Sequence, residues 1–233
     1  MGPAFVTGGE RTGVVVQMRL DSSRLPGKAL LPIGGTCLAG MVMRRLRGID
    51  ADEYVLATDA AGASALGEAA RDAGFSVFAG PKDDVLARYA MAIEAFSLSR
   101  VVRATGDNPF VSATLAEAAL SVAREAGADY VGLVGMPVGM GVEAVLAGAL
   151  LKAAREARDA FDREHVCPYL YRNPGLFSVL RPECPEGYFL PGGRVTVDTR
   201  ADFDRALAIV SEYGAAPSDE EVLSWVRAER KGG

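Results

Sequence analysis

The sequence predicts an α/β fold built on a mostly parallel sheet, and three observations point to it. Short apolar runs rich in β-branched residues recur along the first 135 positions. Longer stretches with apolar residues at three- and four-residue spacing separate them, which is helical periodicity. Glycines stand where two of these stretches end, as helix C-caps require. Strands that alternate with helices form βαβ units, whose strands pair in parallel.

In chain order, residues 14–16, 54–57, 77–79, 101–104 and 130–134 read as strands, because each is short, apolar and bounded by polar or turn residues. Residues 37–49, 61–74, 85–96 and 115–127 read as helices, filled with Ala, Leu, Glu and Arg, with Gly74 and Gly127 closing two of them. The rhythm changes after Gly135. A Gly-, Pro- and Met-rich stretch over 136–141 leads to an Ala-rich helix over 144–160, a helix over 163–171 and a strand over 177–180. A Pro/Gly loop over 182–193, a strand over 194–197 and helices over 201–213 and 219–229 complete the chain. That loop is too short for a domain linker. The expectation is one domain over 1–233, with a flexible start over 1–12 and an embellishment over 144–191.

Bulk properties narrow the function. A hydrophobic share of 49% and a charged share of 24% are those of an ordinary globular protein. The formal charge of −5 argues against a general nucleic-acid binder, which needs a basic face. No apolar run reaches the ~18 residues of a membrane span, and the start has no signal-peptide core. Three cysteines, far apart and without a CxxC pair, favour reduced thiols and a cytoplasmic location. A single histidine, His165, excludes a multi-His metal centre.

Ligands of parallel α/β sheets bind beyond the carboxyl ends of the strands, so the loops there carry the chemistry. The first runs Arg19-Leu20-Asp21-Ser22-Ser23-Arg24-Leu25-Pro26-Gly27-Lys28. Its three cations and two serine hydroxyls are the charge-assisted donors a triphosphate needs from several directions. Gly27 admits close backbone approach and Pro26 stiffens the turn. Any one of these residues alone reads as part of a solvated loop; together they favour phosphate binding. The P-loop spacing is missing.

Arg19-x-x-Ser22-Ser23-Arg24-Leu25-Pro26-Gly27-Lys28 resembles the signature of the cytidylyltransferases that make CMP-activated acidic sugars, the acylneuraminate and Kdo cytidylyltransferases among them. The resemblance is closest to the family's spore coat polysaccharide biosynthesis protein F branch. Further matches follow in order: Asp83-Asp84-Val85-Leu86-Ala87-Arg88, Arg103-Ala104-Thr105-Gly106-Asp107-Asn108-Pro109, Arg163-Glu164-His165-Val166 and Val195-Thr196-Val197-Asp198-Thr199. The resemblance implies a three-layer α/β/α sandwich of the nucleotide-diphospho-sugar transferase, GT-A-like type. It implies transfer of CMP from CTP to a sugar with release of pyrophosphate, in polysaccharide biosynthesis, and a homodimer joined through 144–191. It implies Mg²⁺ held by Asp107 and Asp198, which suits a hard cation. It places Arg19, Ser22, Ser23, Arg24, Gly27, Lys28, Arg103 and Asp107 at the nucleotide, with Arg19, Lys28 and Asp107 catalytic, and Glu143, Glu164 and His165 toward the sugar.

On the residues alone, Asp107 reads more often as a turn residue before Pro109, Asp83-Asp84 more often as a helix N-cap, and Asp198 equally as a helix cap. Arg103 reads equally as half of a structural ion pair, and Glu164-His165 as readily as a structural hydrogen bond or a subunit contact. Three departures are visible. Asp21 stands where the family has glycine, Met18 where it commonly has alanine, and Met140-Gly141-Val142-Glu143 blurs its Gly-Leu-Asp-Val-Glu-like stretch. A glycosyltransferase using a ready-made nucleotide sugar, and a non-catalytic nucleotide-binding relative, are the competing readings.

Overall fold

The computed structural model describes residues 10–232. The chain enters with strand β1 (Thr12–Gln17), crosses a long loop and makes a small hairpin, β2 (Pro32–Ile33) and β3 (Thr36–Cys37), before helix α1 (Leu38–Leu46). The βαβ rhythm continues through β4 (Glu53–Thr58), α2 (Ala60–Asp72), β5 (Ser76–Ala79), α3 (Val85–Ala95), β6 (Arg100–Thr105) and α4 (Ala113–Glu125). Then come β7 (Tyr130–Gly132), β8 (Glu143–Leu146), α5 (Ala147–Glu156), α6 (Ala160–His165), α7 (Pro168–Tyr171) and β9 (Val179–Leu180). Helices α8 (Arg200–Tyr213) and α9 (Asp219–Gly232) follow.

Seven strands form one sheet in the order β5-β4-β1-β6-β8-β7-β9. It is parallel except around β8, which runs antiparallel to both β6 and β7. Successive strand residues face opposite sides, so Val14 and Val16 pack with α1, α4 and α8, while Val15 packs with α3 and α5. Helices therefore cover both faces in a three-layer α/β/α sandwich, and the central strands are apolar on both sides. Side chains fix the helix starts: Asp59, Asp84 and Ser112 each accept a backbone N–H of the following first turn. Gly74 and Gly127 end α2 and α4 with φ of +73° and +59°, the left-handed conformation that C-caps favour.

The β2–β3 hairpin was not expected, and three expected elements differ from the sequence reading. The helix expected over 144–160 begins only at Ala147. Residues Glu143–Leu146 are a strand, because Ala144 and Val145 are both fully buried and face opposite apolar layers, which only extended backbone allows. The helix expected over 163–171 is two helices, broken where Val166 takes φ +75° and where Pro168 opens α7. The strand expected over 194–197 is extended but joins the sheet only through a bridge from Arg194 to Val138. Of the start read as flexible, residues 1–9 lie outside the described residues. Thr12 opens β1 with its N–H on Asp52 Oδ2 at 2.8 Å, and Glu10 pairs with Arg100 and Arg124. No described helix is long and apolar enough to cross a membrane.

Candidate active site

Adjacent strands β1 and β6 deliver the site. The loop after β1 turns back on itself at Gly27, whose φ of +68° is open to glycine at little cost. Gly27 N–H donates to Leu20 carbonyl at 3.0 Å and Lys28 N–H to Leu25 carbonyl at 3.1 Å. A short 3-10 turn over Lys28–Leu30 follows. Lys28 Nζ, only 14% exposed, donates to Val197 carbonyl at 2.6 Å and lies 3.4 Å from Asp107 Oδ2 and 3.3 Å from Asp198 Oδ1. Two carboxylates far apart in the chain thus converge on one ammonium.

Asp107 lies in the turn after β6, and its Oδ1 accepts the Thr105 hydroxyl at 2.6 Å. Asp198 arrives from the other side on the extended segment 194–198. Val195 N–H donates to Val138 carbonyl at 2.8 Å, and Val197 N–H to Asp107 carbonyl at 2.7 Å. Gly139 makes this approach possible: its φ is +101°, and a Cβ there would lie 2.7 Å from Thr196 N. Thr199, not Asp198, caps α8, in a capping box with Asp202. The Asp198 carboxylate is left to the site, where it also takes Arg24 at 2.8 Å and Arg194 at 2.5 Å.

A cavity of about 290 Å³ opens between these segments. Arg19, Ser22, Ser23, Arg24, Lys28, Arg103, Asp107, Glu164, His165 and Asp198 line it. Gly27 shapes the loop without facing the cavity, and Glu143 is on another wall. Five cationic side chains, Arg19, Arg24, Lys28, Arg88 and Arg103, face three carboxylates, Asp107, Glu164 and Asp198, so the lining suits a polyanion despite the acidic chain. Arg19 spans the mouth to Glu164 at 3.2 Å. Asp21 is not on the wall: it takes Lys82 Nζ at 2.9 Å, whose hydrogen bond holds its carboxyl below the usual range, and its other oxygen lies 3.7 Å from Arg19 Nε.

Sequence reasoning left Gln17, Thr105 and Arg88 without roles, though all three line the cavity. Arg88 is 2% exposed and donates through Nη1 to Pro81 carbonyl at 2.6 Å, with its Nε buried and unpartnered. A basic residue three positions into the apolar face of α3 was the available signal. Two motif residues are structural instead. Asp84 caps α3 and also accepts Arg163 Nε at 2.7 Å, which ties α6 to α3.

A second cavity, about 220 Å³, adjoins the first and shares Arg103 and Thr105 with it. Glu143 is opposite Arg103 in the β6–β8 register, and the two form an ion pair. Tyr130 hydroxyl donates to the other Glu143 oxygen at 2.7 Å, and Arg103 Nη2 donates to Gln17 Oε1 at 3.1 Å. Tyr130 reaches across Gly132, where a Cβ would lie 2.5 Å from the hydroxyl. Burial alone would raise the Glu143 pKa, but the Arg103 charge and the hydrogen bonds from Tyr130 and Arg103 outweigh it and hold the carboxyl low. Burial, and then the Glu143 charge, push Tyr130 and Cys167 up. Removing one partner of such a pair typically costs about 3–5 kcal/mol, because a buried charge is left alone.

Two carboxylates around a cationic position fit Mg²⁺, which takes one or two protein carboxylates and completes its shell with water and phosphate oxygens. No cluster of three or more His, Cys, Asp or Glu residues stands among the described residues, so phosphate oxygens and water would complete the shell.

A family model described as cytidylyltransferase matches residues 13–218. The chain is 34% identical over 210 residues to the spore coat polysaccharide biosynthesis protein SpsF of Bacillus subtilis (strain 168), covering 87% of this chain and 88% of that one. A cytidylyltransferase from Leptospira borgpetersenii serovar Hardjo-bovis superposes with a TM-score of 0.83 at 25% identity, over 96% of this chain and 95% of that chain. A CMP:2-keto-3-deoxy-manno-octonic acid synthetase, solved with CTP, shares the fold with a TM-score of 0.68 at 17% identity, over 87% and 99% of the two chains.

Proposed function

Because the chain belongs to the cytidylyltransferase family, an enzyme family of nucleotidyltransferases, we propose that it transfers CMP from CTP to an acidic sugar with release of pyrophosphate. The observation that carries this reading is the convergence of Lys28, Arg24, Asp107 and Asp198 at the end of a cation-rich cavity. A nucleoside triphosphate brings its own negative charge and needs such a lining. Asp21, the residue that would favour a non-catalytic relative, is spent on Lys82.

The triphosphate lies along the loop after β1, where Arg19, Arg24 and Lys28 meet the phosphate oxygens and the Ser22 and Ser23 hydroxyls donate to them. Asp107 and Asp198 are the residues that would hold Mg²⁺, which when bound offsets phosphate charge and polarises the phosphoryl group. The acceptor occupies the second cavity, with Glu164 and His165 at the neighbouring mouth. Arg181 lines that cavity and makes no salt bridge among the described residues, which suits an acceptor with one anionic group. A sugar hydroxyl attacks the α-phosphorus in line. The new O–P bond forms, the P–O bond to the β-phosphate breaks, and the hydroxyl proton is released. The chain's own contribution is positioning plus stabilisation of charge on the departing pyrophosphate.

The reaction belongs to the cytoplasm, where CTP is made, and serves cell-surface or spore coat polysaccharide synthesis. The active species is a homodimer joined through 144–191, where Phe161 and Leu176 are each 52% exposed and Tyr171 and Phe189 are also exposed. The test is pyrophosphate release from CTP and Mg²⁺ with a panel of nonulosonic acids and sugar phosphates. Release with CTP and an acidic sugar is expected. Release of a nucleoside diphosphate from a nucleotide sugar would make it a glycosyltransferase, and no turnover with any pair would make it a binding protein.

A further inference from the structure

We infer that Arg103 contacts the reacting phosphate at the seam between the two cavities, and that Glu143 and Tyr130 are positioning residues that hold its guanidinium there. The inference rests on the nucleotidyl-transfer reading above. Two substrates in adjoining cavities can react only where the cavities meet, and Arg103 and Thr105 are the residues that line both. The α-phosphorus is the one nucleotide atom the acceptor must reach, so it belongs at that seam.

Arg103 is equipped to act there. Of its five N–H groups, one meets Glu143, one meets Gln17, and the Nε–H is sealed from solvent without a partner. The remaining two Nη protons have no acceptor among the described residues, so they are available to phosphate oxygens. The guanidinium is fixed from behind: Glu143 faces it across the β6–β8 ladder, and Tyr130 hydroxyl occupies the second Glu143 oxygen. With each oxygen already engaged, Glu143 acts on the reaction through Arg103. Arg19, Arg24 and Lys28 come from the loop instead, and serve the outer phosphates.

This division predicts a signature that needs no knowledge of the acceptor. CMP keeps the α-phosphate and lacks the other two, so calorimetry with CMP and CTP separates the two sets of cations. Arg103→Lys, which keeps the charge and loses the planar fork, is expected to weaken CMP and CTP by the same factor, about tenfold for one charge-assisted contact. Glu143→Gln is expected to do the same, and the double variant to bind no more weakly than Arg103→Lys alone, because the two act as one unit. Lys28→Ala is expected to weaken CTP selectively. Tyr130→Phe leaves the ion pair intact and covers the case in which Glu143→Gln fails to fold; a smaller loss of CMP affinity, about threefold, is expected. Wild-type CMP affinity in Arg103→Lys would overturn the inference. So would a lowered melting temperature with unchanged CMP affinity in Tyr130→Phe, the mark of a merely structural role. A wild-type chain that binds neither nucleotide would instead fail the nucleotidyl-transfer reading on which the inference rests.

Discussion

Lys28 holds together what would otherwise repel. Two carboxylates that face one point repel each other. The ammonium between Asp107 and Asp198 offsets this in the free chain, and Mg²⁺ with its phosphates would do so in the complex. Asp107→Asn and Asp198→Asn keep the size and remove the charge the cation requires, so turnover is expected to fall about a hundredfold or more while the melting temperature changes little. Mg²⁺-dependent turnover near wild type in both variants would refute the metal assignment. Lys28→Ala is expected to weaken CTP binding more than CMP binding, and equal CTP affinity with wild type would remove the phosphate-loop assignment. Asp21→Gly is expected to be nearly silent in the same calorimetry, because Asp21 is held by Lys82, does not line the cavity, and meets Arg19 only through an exposed 3.7 Å contact. Tighter CTP binding in that variant would mean that Asp21 opposes the phosphates after all. The loop from Arg19 to Lys28 was legible in the sequence because its donors are contiguous. Gln17 was not, being a lone residue, and Arg88 and Thr105 stood in motifs without a role of their own, because the place of all three depends on which elements become neighbours.

Periodicity separates helix from strand when one face is buried, and composition and length must arbitrate when both faces are. Strands β1, β4, β5, β6 and β7 and helices α1 to α4 follow their spacing to within a few residues, since each helix buries one stripe on the sheet. Residues 143–146 lie between two apolar layers and lead into an Ala-rich run, so the sequence reads them with that helix while the packing requires a strand. Arg194–Val197 looked like a strand and is one only in backbone conformation, since its partners are Val138 and the Asp107 carbonyl, not a full ladder. That segment positions Asp198, and Gly139 is what admits it. Gly139→Ala meets a backbone atom at 2.7 Å in a left-handed conformation, so neither the contact nor the strain has an easy escape. A destabilisation of about 2 kcal/mol is expected by denaturant titration, together with weaker Mg²⁺-dependent CTP binding as Asp198 moves off its place. Wild-type stability in Gly139→Ala would show that the 194–198 segment is not held by this approach.

At the scale of the whole molecule, the site exists only in the folded chain. Lys28 meets Asp198 across 170 residues of sequence, and Asp107 across 79, so the unfolded chain presents no cavity to a triphosphate. A ligand that binds only the native state stabilises it by mass action, by about 2.7 kcal/mol at a hundred times its dissociation constant. For a chain of this size each kcal/mol moves the melting temperature by roughly 2–4 °C, so saturating CTP with Mg²⁺ is expected to raise it by about 5–11 °C. CMP at the same concentration brings no outer phosphates to Arg19, Arg24 and Lys28, and the other triphosphates present a different base, so both are expected to shift it less. The comparison has an internal control. In Lys28→Ala the advantage of CTP over CMP is expected to shrink, because the residue that distinguishes them is gone, while each nucleotide keeps its contact with Arg103. If all four triphosphates raise the melting temperature equally, the cavity reads phosphates without reading the base, and the preference for CTP is lost. If none of them moves it, the convergence of Lys28, Asp107 and Asp198 is a structural clasp, and the chain has kept its family's fold without its family's chemistry.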